Sequence, residues 1–395
     1  MSLALVPERV RAHFTDADIA LLTELRRDLH AHPEVSWKES RTQARLEDAL
    51  RAVGVADIRR VAGTGLVARV PGRVLKAPVI ALRGDIDALP IHEATGLDFA
   101  SRHDGVMHAC GHDIHASWAV GAALLLARTP ADGDTLIVLQ PAEEVGEGAS
   151  RVLKSGALDG VRAIFGGHVD RRFAVGQVVA QAGPLAASTD TFRITLTGAG
   201  AHGARPHESA DPVVGLAALV TALQTIISRR LDPAQPGVVT VGMVRAGSAS
   251  NIIPEDAYLE GTVRATTAAA RDLIVGEVDR LAFSVASAYR LQAVVEWGQR
   301  TPPIMNPPQG AAWAAEAAGN IVGADAMVPL GTTNMGGEDF AFYLERLPGC
   351  FMRIGAREPG GELVAAHSPR FVPAEGALFV GAAVLAECAR VASKA

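Results

Sequence analysis

The sequence predicts an α/β protein in which a larger domain with a mostly parallel sheet is interrupted by an inserted, ferredoxin-like α+β domain. Three observations predict it. The chain has 395 residues, more than one hydrophobic core usually serves. Helical and strand-like apolar periods alternate through the first half and again near the end, as they do where parallel strands are joined by helices. From about residue 186 to residue 298 the order becomes β-α-β-β-α-β, that of a compact ferredoxin-like unit. The larger domain is therefore expected at 1–185 and 299–395, and the inserted one at 186–298.

The elements follow in chain order. Helical spacing covers 18–30 and 41–53, and short apolar runs at 65–70 and 79–83 read as strands. The helix at 116–127 contains the longest apolar run, about half of the ~20 residues a membrane span requires, and reads as a core helix. A strand at 135–140 is stopped by Pro141, and another at 161–165 enters Gly166-Gly167-His168. The insert reads as strand 190–198, helix 211–228, strands 237–246 and 257–264, helix 268–289 and strand 291–298. Its first helix is apolar around much of its girth, so it either packs wholly on its own sheet or also meets a second subunit. The α/β pattern resumes with a helix at 310–322, a strand at 350–355 and a last helix at 375–394.

Composition narrows the partners. With 49% hydrophobic and 20% charged residues the chain has the make-up of a well-cored protein rather than a disordered one. A net charge of −6 with no Lys/Arg cluster argues against nucleic acid and anionic membranes and favours a small-molecule partner. Three cysteines, Cys110, Cys350 and Cys388, are too few for a disulfide framework and suit a reducing compartment. Residues 1–16 lack the basic and long apolar regions of a signal peptide, so a cytoplasmic location is expected.

The densest chemistry lies in Met107-His108-Ala109-Cys110-Gly111-His112-Asp113-Ile114-His115. Thiolate and neutral imidazole are the preferred ligands of zinc and its neighbours, and an extended chain would put Cys110 and His112 on one side. A His-rich surface loop would carry the same letters; the downstream residues favour a metal. Glu143 and Glu144 follow the strand stopped by Pro141, where a loop lets adjacent side chains converge. His168 follows another strand, and His367 sits in the turn-like Ala366-His367-Ser368-Pro369. Asp85 and Asp87, spaced to face one way, follow the strand at 79–83. Ligands gathered beyond strand ends are what an α/β sheet offers.

Over nearly its whole length the chain resembles the aminoacylase and carboxypeptidase family of two-metal metallopeptidases. The amidohydrolase branch with hippurate hydrolase and the indole-acetyl-amino-acid hydrolases fits best. The blocks that carry the resemblance are Leu29-His30-Ala31-His32-Pro33-Glu34, Gly84-Asp85-Ile86-Asp87-Ala88-Leu89-Pro90, Met107 to His112, Gln140-Pro141-Ala142-Glu143-Glu144 and Gly167-His168-Val169-Asp170. Pro206-His207, Ala249-Ser250-Asn251-Ile252-Ile253-Pro254, Gly337-Glu338-Asp339-Phe340 and His367-Ser368-Pro369 complete the series. The resemblance implies ligation of two divalent ions, zinc or manganese and possibly cobalt, by Cys110, His112, Glu144, His168 and His367, with Glu143 as general base. It implies a catalytic domain with an inserted lid and dimerisation domain, a homodimer through that insert, and His202 reaching the substrate across the dimer. Asn251 falls in a block that lines the substrate side.

Five donors cannot fill two metal shells without sharing, so a bridging thiolate from Cys110, a bridging water, or both are expected. Asp87 and Asp85 would then orient a ligand imidazole, and Asp113 or His115 could serve likewise, a helix N-cap being the preferred role for Asp113. His202 would face the oxyanion, and Arg264 or another arginine would take an α-carboxylate. His13, His92 and His103 are expected at the surface, and Cys350 and Cys388 in the core. The reaction expected is hydrolysis of an N-acyl amino acid to a carboxylic acid and an amino acid. Alternatives are a dipeptidase or carboxypeptidase with the same metals, and a non-catalytic metal-binding scaffold. A zinc deaminase is disfavoured because no Pro-Cys-x-x-Cys is present.

Overall fold

The computed structural model describes residues 6–394, so the reading of residues 1–16 as lacking a leader lies partly outside the described residues. The chain divides into two compact units: residues through 183 with 305–332 and those from 339 on, and residues 184–304 with 333–338.

The first unit is built on a seven-stranded sheet. Its order is Asp57–Val61, Gly65–Val70, Thr135–Gln140, Val79–Asp85, Val161–Ala174, Gly349–Arg357, Val178–Val179. The four strands from Thr135–Gln140 to Gly349–Arg357 run parallel, and antiparallel strands close both edges. The parallel strands are apolar on both faces because helices cover them. Helix His112–Arg128 is buried at every position through Leu126, with Trp118 at its centre, and packs against Gly376–Ala392 and Asp16–Ala31. Helix Asp16–Ala31 starts in a capping box, in which Thr15 Oγ1 accepts the Asp18 N–H and Asp18 accepts the Thr15 N–H. Strand Asp57–Val61, largely exposed and charged, is absent from the sequence reading because it carries no apolar alternation.

Two boundaries differ from expectation in ways that move functional residues. The strand expected at 79–83 runs to Asp85, so Asp85 ends it. The strand expected at 161–165 runs to Ala174, with Gly166 and Gly167 inside it, and His168 stands in register with Arg353. His168 is therefore a mid-strand residue rather than one beyond the strand end.

The second unit is a four-stranded antiparallel sheet in the order Gly237–Ala246, Asp256–Ala265, Thr189–Thr197, Gln292–Thr301. With helices Pro212–Thr225 and Ala268–Ala288 it has the ferredoxin-like connectivity. Phe192, Ile194 and Leu196 alternate toward Leu216, Leu219, Leu223, Ile274 and Val278. The outer boundary lies beyond 298 because Gln292–Thr301 keeps pairing through Thr301, opposite Thr189. Residues 333–338 join the unit through the Ala187 N–H to Asn334 carbonyl bond of 3.0 Å. Asp190 is fully buried and held by Arg271 at 2.8 Å through two hydrogen bonds. Among the described residues Pro212–Arg230, not the run in 116–127, is long and apolar enough to cross a membrane by composition. Here Leu216, Leu219, Leu223 and Ile226 face the sheet core while Val213 and Val214 are exposed.

Candidate metal centre

Cys110, Gly111 and His112 sit where a loop turns into a helix. Gly111 is the N-cap of His112–Arg128 and has φ +94°, a left-handed conformation that side chains rarely adopt. A Cβ there would also lie 2.5 Å from Val169 Cγ2. Cys110 and His112 are thus brought together by this turn, not by alternation along an extended chain as expected. Cys110 Sγ lies 3.2 Å from His168 Nε2, and ligand atoms of Cys110, His112 and His168 fall within 4.8 Å of one another. The same limit holds for Cys110, Glu144 and His367 and for His112, Glu143 and Glu144. The structure therefore brings together all five expected ligands and Glu143.

Backbone strain is concentrated at two of the positions that deliver them. His367 has φ +67° and donates its N–H to the Ala109 carbonyl at 2.8 Å, tying the late turn to the Cys110 loop. Ala142, between Pro141 and Glu143, has φ +54°, and its N–H is taken at 3.0 Å by the buried carboxylate of Glu39. Sequence reasoning missed Glu39. Burial raises its pKa, and the Thr64 hydroxyl, donating at 2.6 Å, partly counters this.

Two aspartates organise the surroundings. Asp87 accepts the backbone N–H groups of Glu143 and Glu144, each at 3.1 Å, and the Ser36 hydroxyl at 2.7 Å. The imidazole of His112 donates from Nδ1 to the Asp87 carbonyl at 2.9 Å, with Asp87 Oδ1 at 3.3 Å. Asp85 binds His115 Nδ1 at 2.7 Å and lies 3.7 Å from His112 Nε2. It pairs with Arg83, a buried cation that also meets Asp339 at 3.1 Å. Arg83 went unread, although a lone arginine inside an apolar strand beside Asp85 was the available signal.

Asp113 does not cap the helix. Its carboxylate meets Arg26 at 2.8 Å and His30 Nδ1 at 2.9 Å, fully buried, because a carboxylate in the first helical turn here finds cations on a neighbouring helix. His30 also reaches Glu93 at 3.2 Å, and His32 Nδ1 meets the Asp28 carbonyl at the end of their helix. His92 is exposed beside Asp104, His13 and His103 are exposed, and Cys350 and Cys388 are buried.

The three residues expected on the substrate side all belong to the second unit. His202 is exposed and paired in register with Ile252, next to Asn251, whose carbonyl accepts the Gly203 N–H at 2.8 Å. Arg264 is partly buried and donates to the Thr189 hydroxyl.

The residues of the first unit fit two divalent ions. His112 Nε2 and Glu144 Oε1 are buried without a hydrogen-bond partner among the described residues, and they face each other at 3.9 Å. Two donors each about 2.1 Å from one ion stand at most about 4.2 Å apart. Left unmet, such atoms cost about 1–3 kcal/mol each. The charge balance agrees. Burial pushes the His112 imidazole down, but Asp85 and Cys110 outweigh it and raise its pKa well above the usual range. Hydrogen bonds to Cys110 and Glu144 take His367 up to about 10. Burial, with Glu144 beside it, raises the Cys110 thiol, whereas burial and His115 lower His168. An excess of anionic groups here draws positive charge.

Residues 81–391 match Peptidase family M20/M25/M40. Two N-acetylcysteine deacetylases of Bacillus subtilis strain 168 are 39% and 38% identical to the chain. Each alignment covers 93% of this chain, and they cover 96% and 87% of the relatives. A crystal structure from Bacillus subtilis, described as a dinuclear metal binding peptidase of the M20 family, superposes with a TM-score of 0.84 at 36% identity. That likeness covers 96% of this chain and 99% of the other.

Proposed function

The chain belongs to peptidase family M20/M25/M40, and from that membership we propose that it is a metal-dependent amidohydrolase cleaving N-acyl amino acids to a carboxylic acid and a free amino acid. The observation that carries this reading is the convergence of Cys110, His112, Glu144, His168 and His367 with Glu143 beside them. The names of the deacetylase relatives support an acylated amino acid as substrate.

Cys110, His112, Glu144, His168 and His367 would hold two divalent ions, zinc, manganese or cobalt. When bound, such ions polarise a carbonyl and lower the pKa of water. Glu143, with Oε2 at 3.9 Å from His112 Nε2, takes the proton of the attacking water and delivers it to the leaving nitrogen. Asp87 fixes the backbone from which Glu143 and Glu144 project, and so fixes the distance over which that proton moves. His202 of a second copy donates to the developing oxyanion, and Asn251 and Arg264 serve the substrate's polar groups, Arg264 its carboxylate. This reading takes the enzyme as a cytoplasmic homodimer joined through the inserted unit.

The test is amino-acid release from N-acetyl, N-benzoyl and N-indolylacetyl amino acids and from dipeptides. Metal-stripped protein is reloaded in turn with zinc, manganese or cobalt. Metal-dependent release from acyl amino acids, absent in Glu143→Ala, is the expected result. Preference for dipeptides would transfer the assignment to the peptidase alternative. Two bound ions with no release from any substrate would favour the scaffold.

A further inference from the structure

His115 lies outside the set of five donors, yet its two ring nitrogens have partners that leave it one protonation state. Nε2 stands 3.0 Å from the Val169 backbone N–H, which can only donate, so Nε2 must accept. Nδ1 stands 2.7 Å from Asp85 Oδ1 and carries the proton. The ring is fully buried and stacked on Trp118 at 4.4 Å, and turning it over would put carbons where both nitrogens stand and break both bonds. The other end of the Val169 residue is used as well. Its carbonyl takes the His168 Nδ1–H at 2.7 Å, which leaves His168 Nε2 bare and directed at Cys110 Sγ. The close approach is built into the backbone: a Cβ at Gly84 would lie 2.3 Å from the His115 carbonyl oxygen.

We infer that His115 is a positioning residue that, through the Val169 backbone, sets the tautomer and aim of His168. Asp85 fixes the His115 proton, His115 fixes the Val169 N–H, and the Val169 carbonyl fixes the His168 proton. Metal-bound histidines commonly have their second nitrogen held by a carbonyl, and loss of such support typically costs about 10- to 100-fold in metal affinity. Here the support is itself supported, one step further from the ion. The inference rests on the metal site proposed above only for its consequence; the tautomers exist in metal-free protein.

Two substitutions separate the roles. In His115→Gln the side-chain carbonyl can reach the Nε2 position and accept the Val169 N–H. In His115→Asn the amide can reach the Nδ1 position and donate to Asp85 but leaves Val169 unmet. The first readout is side-chain ¹⁵N NMR of histidine-labelled, metal-free wild-type protein. His115 and His168 are both expected as single Nδ1–H tautomers; an Nε2–H form or an averaged signal at either would overturn the inference. The second readout is Co²⁺ affinity by chelator competition, with the thiolate charge-transfer band as signature. His115→Asn is expected to weaken one of two ions about 10- to 100-fold and give mixed His168 tautomers, while His115→Gln restores most of both. Equal losses in the two variants, or no loss in either, would overturn it. Wild-type protein that binds no Co²⁺ yet shows both single tautomers would overturn the metal reading and leave the tautomer chain standing.

Discussion

Asp87 Oδ1 accepts the backbone N–H of Glu143 at 3.1 Å, and its other oxygen takes the N–H of Glu144 at the same distance. One carboxylate therefore fixes two consecutive glutamates through their main chain, while the Ser36 hydroxyl at 2.7 Å stops it from rotating. Asp87→Asn loses an acceptor on one side. Metal affinity and kcat/KM are both expected to fall about 10- to 100-fold. Parallel measurement of metal content and turnover checks it, and wild-type values for both would contradict the assignment.

Glu143→Gln keeps the shape of the side chain and removes its basicity. kcat is expected to fall about 10²- to 10⁴-fold, with two ions still bound. A variant within tenfold of the wild type would remove Glu143 from proton transfer.

Metal removal is expected to destabilise the protein. Without ions the converging acidic groups are met by protons on His112 and His367, and each ion at 100 times its Kd adds about 2.7 kcal/mol. Urea denaturation after chelation should show a lower midpoint, restored by zinc, manganese or cobalt. An unchanged midpoint would show that no ion binds the native state preferentially.

Stability on the acid side should report Glu93. Burial raises its carboxyl, but hydrogen bonds from His30, Thr95 and the Ser101 N–H outweigh this and bring the pKa from 4.5 to about 2. A depressed carboxyl stabilises the native state above its unfolded pKa, and that contribution fades as the pH falls through the folded value. Wild type is expected to exceed Glu93→Gln by about 1–3 kcal/mol near pH 6, and the gap should close as the pH drops from 4.5 toward 2. His30 behaves oppositely. Burial lowers it, Asp113 and Glu93 raise it further, and its contribution fades as the pH rises through the raised pKa. A gap that is flat with pH would exclude the ionised His30–Glu93 pair.

The role proposed for His202 across a dimer has a direct assay. Glu143→Ala and His202→Ala are each expected to be inactive, but unfolding and refolding them together should restore roughly a quarter of the activity if dimers assort at random. If His202 served its own subunit, the mixture would stay inactive.

The candidate donors were legible in the sequence because metal chemistry restricts residue type, and Cys110, His112 and Glu144 stand in short blocks that carry those types. What escaped depended on distant partners. Asp113 fits the local cap pattern, and nothing near it announces Arg26 on another helix. Gly166 and Gly167 read as a stop, yet the strand continues because the parallel strand Gly349–Arg357, far away in sequence, pairs alongside it. The order of the inserted unit was legible because each strand alternates; its outer edge was not, since Asn334 joins through backbone bonds to which any residue contributes.

The turn that carries His367 is made only after the whole second unit, whereas Cys110, His112, Glu144 and His168 all precede it. During synthesis the nascent chain therefore holds four of its five candidate donors while the insert is still emerging and folding. The last donor arrives with the Ala109 carbonyl already waiting for its N–H. The set of five candidate donors is complete only near the end of translation, so an arrested or truncated chain that stops within the insert carries a thiol, two imidazoles and a carboxylate without their fifth companion.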